Sequence, residues 1–472
     1  MFTMQIGFAM LCAGSVREKN VKNIMLKNLL DACGGTIGFW AIGYGLAYGD
    51  STSSGKSFIG SYRNFFLAEY TNTPPEEYGG EGFINFFFSW AFACTSATIV
   101  AGAIAERCHM IAYFCYSIMV TGLVYPVVVH WIWSKQGYLS PHAPNPFLGT
   151  GVIDYSGSGV VHITGGTTAL IAAWFLGPRA GRFRDGTGRL LAAPKVFAPH
   201  SIALQMLGTF ILWFGWYGFN PGSTRAITGG YDYTAAVTTI STTLGAASGS
   251  ISCMFLQSFL DYYFNGGVVS YDLNCAMNGL LSGLVANTAG CAVNSPWAAV
   301  IIGAIAGPVY LAGSAALIKV QIDDVVDAIP VHLCNGIWGL VAVGFFAAPG
   351  QLGAAYPGHT EYGVFYGGGK LMAAQLCGML FIIGWTSAIM IPFFWLINRL
   401  GILRVTLYEE EVGLDIIRHK GHAYNFRYNS SKHIDVESVK LPIRSTSRDP
   451  NVEGDGLESS LNGVADHMDN GQ

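Results

Sequence analysis

The sequence predicts an all-α polytopic membrane protein of about eleven transmembrane helices, and three observations carry that reading. Charged residues make up only 11% of 472, less than half the roughly 25% of a soluble domain. The shortage is uneven: the residues up to Asn398 hold 33 Lys, Arg, Asp and Glu, and the 74 after it hold 21. A soluble surface of that size cannot be covered with so few charges, so lipid must solvate most of it. Third, apolar runs of the length needed to cross about 30 Å of hydrocarbon recur along the chain. These features exclude a soluble enzyme, and a net charge of −4 gives no basic footprint for nucleic acid. The ten cysteines fall mostly inside apolar runs without a CxxC pair, so they read as small buried hydrophobes and not as a disulfide, metal or redox set.

The runs lie near 1–16, 29–49, 83–105, 109–133, 152–176, 199–219, 233–260, 273–290, 297–318, 328–348 and 367–397. No run shows the alternating ten-residue pattern of a membrane β-barrel. The first rises only about 24 Å as a helix, short of a crossing. It lacks the basic start and cleavage site of a signal peptide. The expectation is a first span that has lost its outer half, as a misplaced start codon would leave it; a re-entrant or tilted segment is the alternative. Glycines spread through the spans, as in GGTIGFWAIGYG at 34–45, allow the close helix approach that lipid does not itself drive.

Basic residues set the orientation. Connectors after odd-numbered spans hold Arg17, Lys19, Lys22, Lys27, Arg107, Arg179, Arg182, Arg184, Arg189, Lys195 and Lys319. Those after even-numbered spans hold Lys56, Arg63, Lys135, Arg225 and Lys370. The odd connectors are therefore expected in the cytoplasm, with the N-terminus outside and the tail inside. The expected domains are a transmembrane unit over 1–398, an ordered cytoplasmic segment over 399–424, and a disordered tail over 425–472 that is rich in Ser, Asn and Asp.

Two of the eleven histidines sit deep in apolar runs: His162 in VVHITGG and His332 in PVHLCNG. Both read Val-His-x-x-x-Gly, and both follow an Asp by eight residues, Asp154 and Asp324. One lies in the fifth run and one in the tenth. Two five-helix halves necessarily face opposite ways, so the chain is expected to be a five-plus-five inverted repeat plus one further helix, with its site near the midplane. A single histidine there is usually a hydrogen-bonded core residue; a matched pair of ionisable groups points to a pathway. Asp154 is expected to cap the fifth helix, to orient the substrate path, or both. Of Asp323, Asp324 and Asp327, read as caps and connector charges, Asp327 is expected to lie deepest.

The stretch DYSGSGVVHITGGTTALIAAWFLGPR (154–179), together with GFAMLCAGSVREKN, TIVAGAIAER, WFGWYGFNPGS and DDVVDAIPVHLCNGIWG, resembles the ammonium transporter family, the Amt, Mep and Rhesus proteins, and within it the plant-type branch. The resemblance runs from Met1 to about Tyr424. It implies that His162 and His332 line a narrow conduit and relay protons, and that Phe92 and Phe219 gate it. It further implies that Phe88, Ser223 and Asp154 belong to an outer ammonium site, and that the protein is a homotrimer in the plasma membrane. No cofactor, metal or catalytic residue is implied. Three departures stand out. At the outer site the chain offers Tyr138 where the family has a tryptophan. Ile417 occupies the place of a phosphorylated threonine in the tail. The first span is short. The implied function is ammonium transport with deprotonation at the mouth; an ammonium sensor with little flux and a neutral ammonia gas channel are the alternatives. Two histidines on separate runs, without His-x-x-His or clustered carboxylates, make a poor metal site for a membrane enzyme.

Overall fold

The computed structural model describes residues 1–49, 55–73, 80–264 and 266–424. It places a helix at each of the eleven predicted positions. These are α1 (Thr3–Ser15), α2 (Val21–Gly38, continued by Phe39–Gly43 and Tyr44–Tyr48), α3 (Glu81–Ala103) and α4 (Met110–Trp133). There follow α5 (Ser158–Leu176), α6 (Ile202–Phe219), α7 (Asp232–Phe264) and α8 (Leu273–Thr288). The last are α9 (Pro296–Lys319), α10 (Ile329–Phe346) and α11 (Lys370–Arg399). Seven of them are long and apolar enough to cross a membrane, so the protein is a multi-pass membrane protein. The other four are α1, α2, α7 and α8, of which α1 and α8 have 13 and 16 residues. Among the described residues there are isolated β-bridges but no strand. Two short helices, α12 (Leu407–Val412) and α13 (Leu414–His419), follow, and Ile417 lies in the second. The disorder expected over 425–472 falls outside the described residues.

Helix α2 starts at Val21, well before its apolar run. Its polar face is buried: Lys27 Nζ donates to the Cys108 carbonyl at 2.7 Å, and Asp31 Oδ2 accepts from the Tyr113 hydroxyl at 2.5 Å. Elsewhere small residues set the spacing. A Cβ on Gly283 of α8 would stand 2.1 Å from the Gly245 carbonyl oxygen of α7, and one on Gly303 of α9 2.3 Å from the same oxygen. No side chain fits between these backbones, which is how three helices pack without a hydrophobic drive between them.

The odd-numbered connectors converge on one face. The buried Glu106, after α3, accepts from Arg17 Nε at 2.5 Å and from the Arg17 amide at 2.7 Å. Asp323, after α9, pairs with Arg179 after α5: Nε–Oδ2 is 2.7 Å and Nη2–Oδ1 is 2.9 Å. Arg107 Nη2 donates to the Asp323 carbonyl at 2.6 Å. Burial alone would raise the Asp323 carboxyl, but the hydrogen bonds and charges of Arg179 and Arg107 outweigh it and hold it well below the usual carboxylate range. Asp323 is the least solvent-exposed of the three aspartates, and this arginine cluster compensates its charge. Segment α12–α13 docks on the same face. Glu410 Oε1 accepts from the Ala180 amide at 2.7 Å, and the Asp415 carboxylate accepts from the Lys22 and Asn23 amides, both at 2.9 Å, capping α2 from afar.

Candidate functional site: a chamber, two rings and a histidine pair

The matched motifs of α5 and α10 meet. Each histidine lies in a π-helical turn, Ser158–Ile163 and Ile329–Cys334, a distortion that tends to mark functional sites. Each turn begins beneath its aspartate. Asp154 accepts from the amides of Gly157 (3.0 Å), Gly159 (2.9 Å) and Val160 (2.8 Å), and Asp324 accepts from Ile329 at 2.7 Å. The glycine four residues after each histidine lets the helices cross. A Cβ on Gly166 would lie 2.6 Å from the Leu333 nitrogen, and one on Gly336 2.7 Å from the Ser158 oxygen. The motif thus encodes a cap, a wide turn, an imidazole and a crossing point.

At the crossing the two imidazoles lie nearly parallel, with centroids 5.1 Å apart and planes 12° apart, and their Nδ1 atoms are separated by 3.1 Å. That contact needs one donor and one acceptor, so a neutral pair shares a single Nδ1 proton. One ring then presents a bare Nε2 and the other an Nε2–H. His162 Nε2 is buried without a hydrogen-bond partner. Trp216 covers the outer side of His162, stacked at 5.4 Å, and Phe8 approaches His332 at 6.3 Å.

Two spaces flank the pair. On one side is a cavity of about 20 Å³ lined by Phe8, Leu11, Ile99, Leu281, Val331 and His332, room for one water-sized molecule. Thr98 and Asn278 also line it, so the histidines are not the only polar groups on the path. On the other side Phe92 and Phe219 meet with centroids 4.2 Å apart and planes tilted 44°. Both are buried, and Phe219 lies 5.8 Å from the His162 ring. Beyond them opens a chamber of about 900 Å³ lined by Phe88, Phe92, Trp133, Ser223 and Arg225 among others. Phe88 continues the aromatic column, 5.0 Å from Phe92. Ser223 Oγ donates to the Phe219 carbonyl at 2.7 Å, which leaves its lone pairs as acceptors.

One expected member of the outer site is elsewhere. Tyr138 does not line the chamber, and its place there is taken by Trp133, which donates to the Asp154 carbonyl at 2.7 Å and meets Phe92 edge-on at 5.6 Å. The chain after α4 turns back on itself, with the Leu139 amide donating to the Trp131 carbonyl at 3.0 Å, and leaves Tyr138 half exposed. Asp154 caps α5 with its carboxylate and supports the chamber wall through its carbonyl, which accepts from Trp133. A third histidine, His130, is as buried as the pair, but both its nitrogens are occupied, by the Ala47 carbonyl and Ser57 Oγ at 2.9 Å each. It is a core residue. Among the described residues no group of His, Cys, Asp and Glu could hold a metal ion.

Residues 1–424 match the model of the Ammonium Transporter Family. The chain is 42% identical over 429 residues to ammonium transporter 1 member 2 of Arabidopsis thaliana, covering 88% of this chain and 80% of that protein. It is 39% identical over 430 residues to ammonium transporter 3 of Dictyostelium discoideum, covering 90% and 91%. Among solved structures it is similar to a sensor Amt protein, with a TM-score of 0.73 and 30% identity over 89% of this chain and 95% of that one. It is also similar to Mep2 of Saccharomyces cerevisiae, with a TM-score of 0.72 and 25% identity over 86% and 84%. A family model matching nine-tenths of the chain, relatives at about 40% identity and this shared fold together mean that the chain belongs to the Ammonium Transporter Family.

Proposed function

We propose that this protein transports ammonium across a membrane by taking NH4⁺ into the aromatic chamber, removing a proton and passing NH3 between the rings. The observation that carries the reading is the histidine pair, whose Nδ1 atoms lie 3.1 Å apart between a ring-closed chamber and a mostly apolar cavity the size of one small molecule. A bare cation entering that cavity would lose hydration worth several kcal/mol. In the chamber the same cation meets the faces of Phe88 and Trp133 and the lone pairs of Ser223, where cation–π attraction contributes about 0.5–2 kcal/mol. Ammonia is small enough for the inner cavity and finds Nε2 atoms of both kinds along the pair, one to accept from it and one to donate to it. The shared Nδ1 proton can hop as the pair reverses, so the released proton has its own path and net transport moves charge. K⁺ has no proton to give up and is refused at the rings.

The same reading takes the protein to be a homotrimer in the plasma membrane, with the chamber and N-terminus outside and the arginine-rich face inside, as the positive-inside rule requires. A second reading, an ammonium sensor with little flux, draws on the similarity to a protein described as a sensor. Uptake in cells lacking their own ammonium transport separates the two. We expect saturable uptake, reduced at least tenfold by Phe219→Ala at equal membrane abundance. Full uptake in that variant makes Phe219 a packing residue, and no uptake by the parent chain favours the sensor.

A further inference from the structure

The chamber already contains a cation. The Arg225 guanidinium carbon lies 5.2 Å from the centroid of Phe88, on the ring to which the function proposed above assigns the incoming ammonium. The backbone puts it there. The turn Pro221–Thr224, which positions Ser223, ends in Arg225 with φ of 60°, and the Arg225 amide donates to the Gly222 carbonyl at 3.0 Å. Only a few per cent of residues other than glycine adopt positive φ. Its Nη1 reaches Asn85 Oδ1 at 3.4 Å, and its charge is felt by Tyr48, His142 and Tyr155 around the chamber. The other charged or titratable side chains lining the space include Glu81, Lys135 and His142. Among the described residues that line the space, two cations thus face one carboxylate.

We infer that Arg225 is a specificity-determining residue that sets the chamber's affinity for ammonium by occupying the Phe88 face in its absence. To bind, ammonium must displace the guanidinium or share the ring with it. A like charge about 5 Å away in water-filled space changes binding roughly fourfold, and loss of one exposed cation–π contact adds a factor of about two to five. The test rests on the transport reading but separates from it. In uptake assays Arg225→Gln is expected to lower the ammonium KM about eightfold to twentyfold, with the maximal rate moving less, while Arg225→Lys, which keeps the charge, stays near wild type. An unchanged or higher KM in Arg225→Gln, or a KM in Arg225→Lys lowered as far as in Arg225→Gln, overturns the inference. In parallel, the purified full chain is titrated with methylammonium chloride, following the fluorescence change that Trp133→Phe abolishes. Tighter binding by Arg225→Gln in a chain without flux supports the inference and sinks the transport reading. Equal binding by the two proteins in a chain with flux does the reverse.

Discussion

At the scale of single residues, the histidine pair supports the sharpest prediction. If the pair relays a proton and excludes bare cations, His162→Asp or His332→Glu introduces a carboxylate that can hold a partly desolvated cation. Either variant is expected to pass ammonium with relaxed selectivity and to admit K⁺. Replacing both histidines with leucine removes the shared proton and is expected to abolish ammonium current. Currents under ammonium and K⁺ gradients in liposomes decide it: a double variant with full ammonium current sinks the relay, and acidic variants that still refuse K⁺ sink the exclusion. His162 and His332 were legible in the sequence because two ionisable groups recurred with the same flanks. Trp133 was not, because the last residue of an apolar run carries no mark of which way it points. Tyr138 lay in the connector, where a chamber residue was sought, but the backward turn through Gly137 and Leu139 directs it away. For Asp154, the amides of Gly157, Gly159 and Val160 establish the cap that the sequence suggested.

At the scale of helices, the positions of all eleven runs were readable and their edges were not. Helix α2 begins eight residues before its run, because Lys27 and Asp31 find buried partners on and beside α4 that a hydropathy window does not see. The meeting of α5 and α10 was implied by the matched histidine motifs, and the part their glycines play in the crossing required the structure. Gly166→Val would push methyl groups into the backbone of α10, 2.6 Å from Leu333 N. Overpacking of this kind costs about 1–3 kcal/mol, so the variant is expected to have a lower thermal midpoint in detergent and to lose uptake together with it. An unchanged midpoint means that the helices part without cost and that the glycine is not there for the crossing.

For the molecule as a whole, the sorting of basic residues by connector was the legible part, and the cluster of Arg17, Glu106, Arg107, Arg179 and Asp323 is its physical counterpart. Removing one member leaves the others uncompensated. Asp323→Asn is expected to destabilise the protein by about 3–5 kcal/mol at neutral pH. The folded-state carboxyl titrates below the unfolded value of about 3.9, so its stabilisation is fully present above that value and is lost as pH falls through the folded-state value. Wild type and variant should therefore differ by a constant amount from pH 8 to about pH 5 and converge only in stronger acid. Convergence already at pH 6 would show that the carboxyl is not held low.

The two spaces that flank the histidines differ in volume by more than an order of magnitude, about 900 Å³ against about 20 Å³, and the inequality gives the protein a pharmacology with a direction. An organic cation too bulky to slip between Phe92 and Phe219 still fits the larger space and blocks it, whereas the smaller one offers it no seat. Tetramethylammonium is therefore expected to inhibit uptake when applied on the chamber side of oriented proteoliposomes and to be inert when trapped on the other. Equal inhibition from both faces would mean that the narrow side opens far wider than one small molecule.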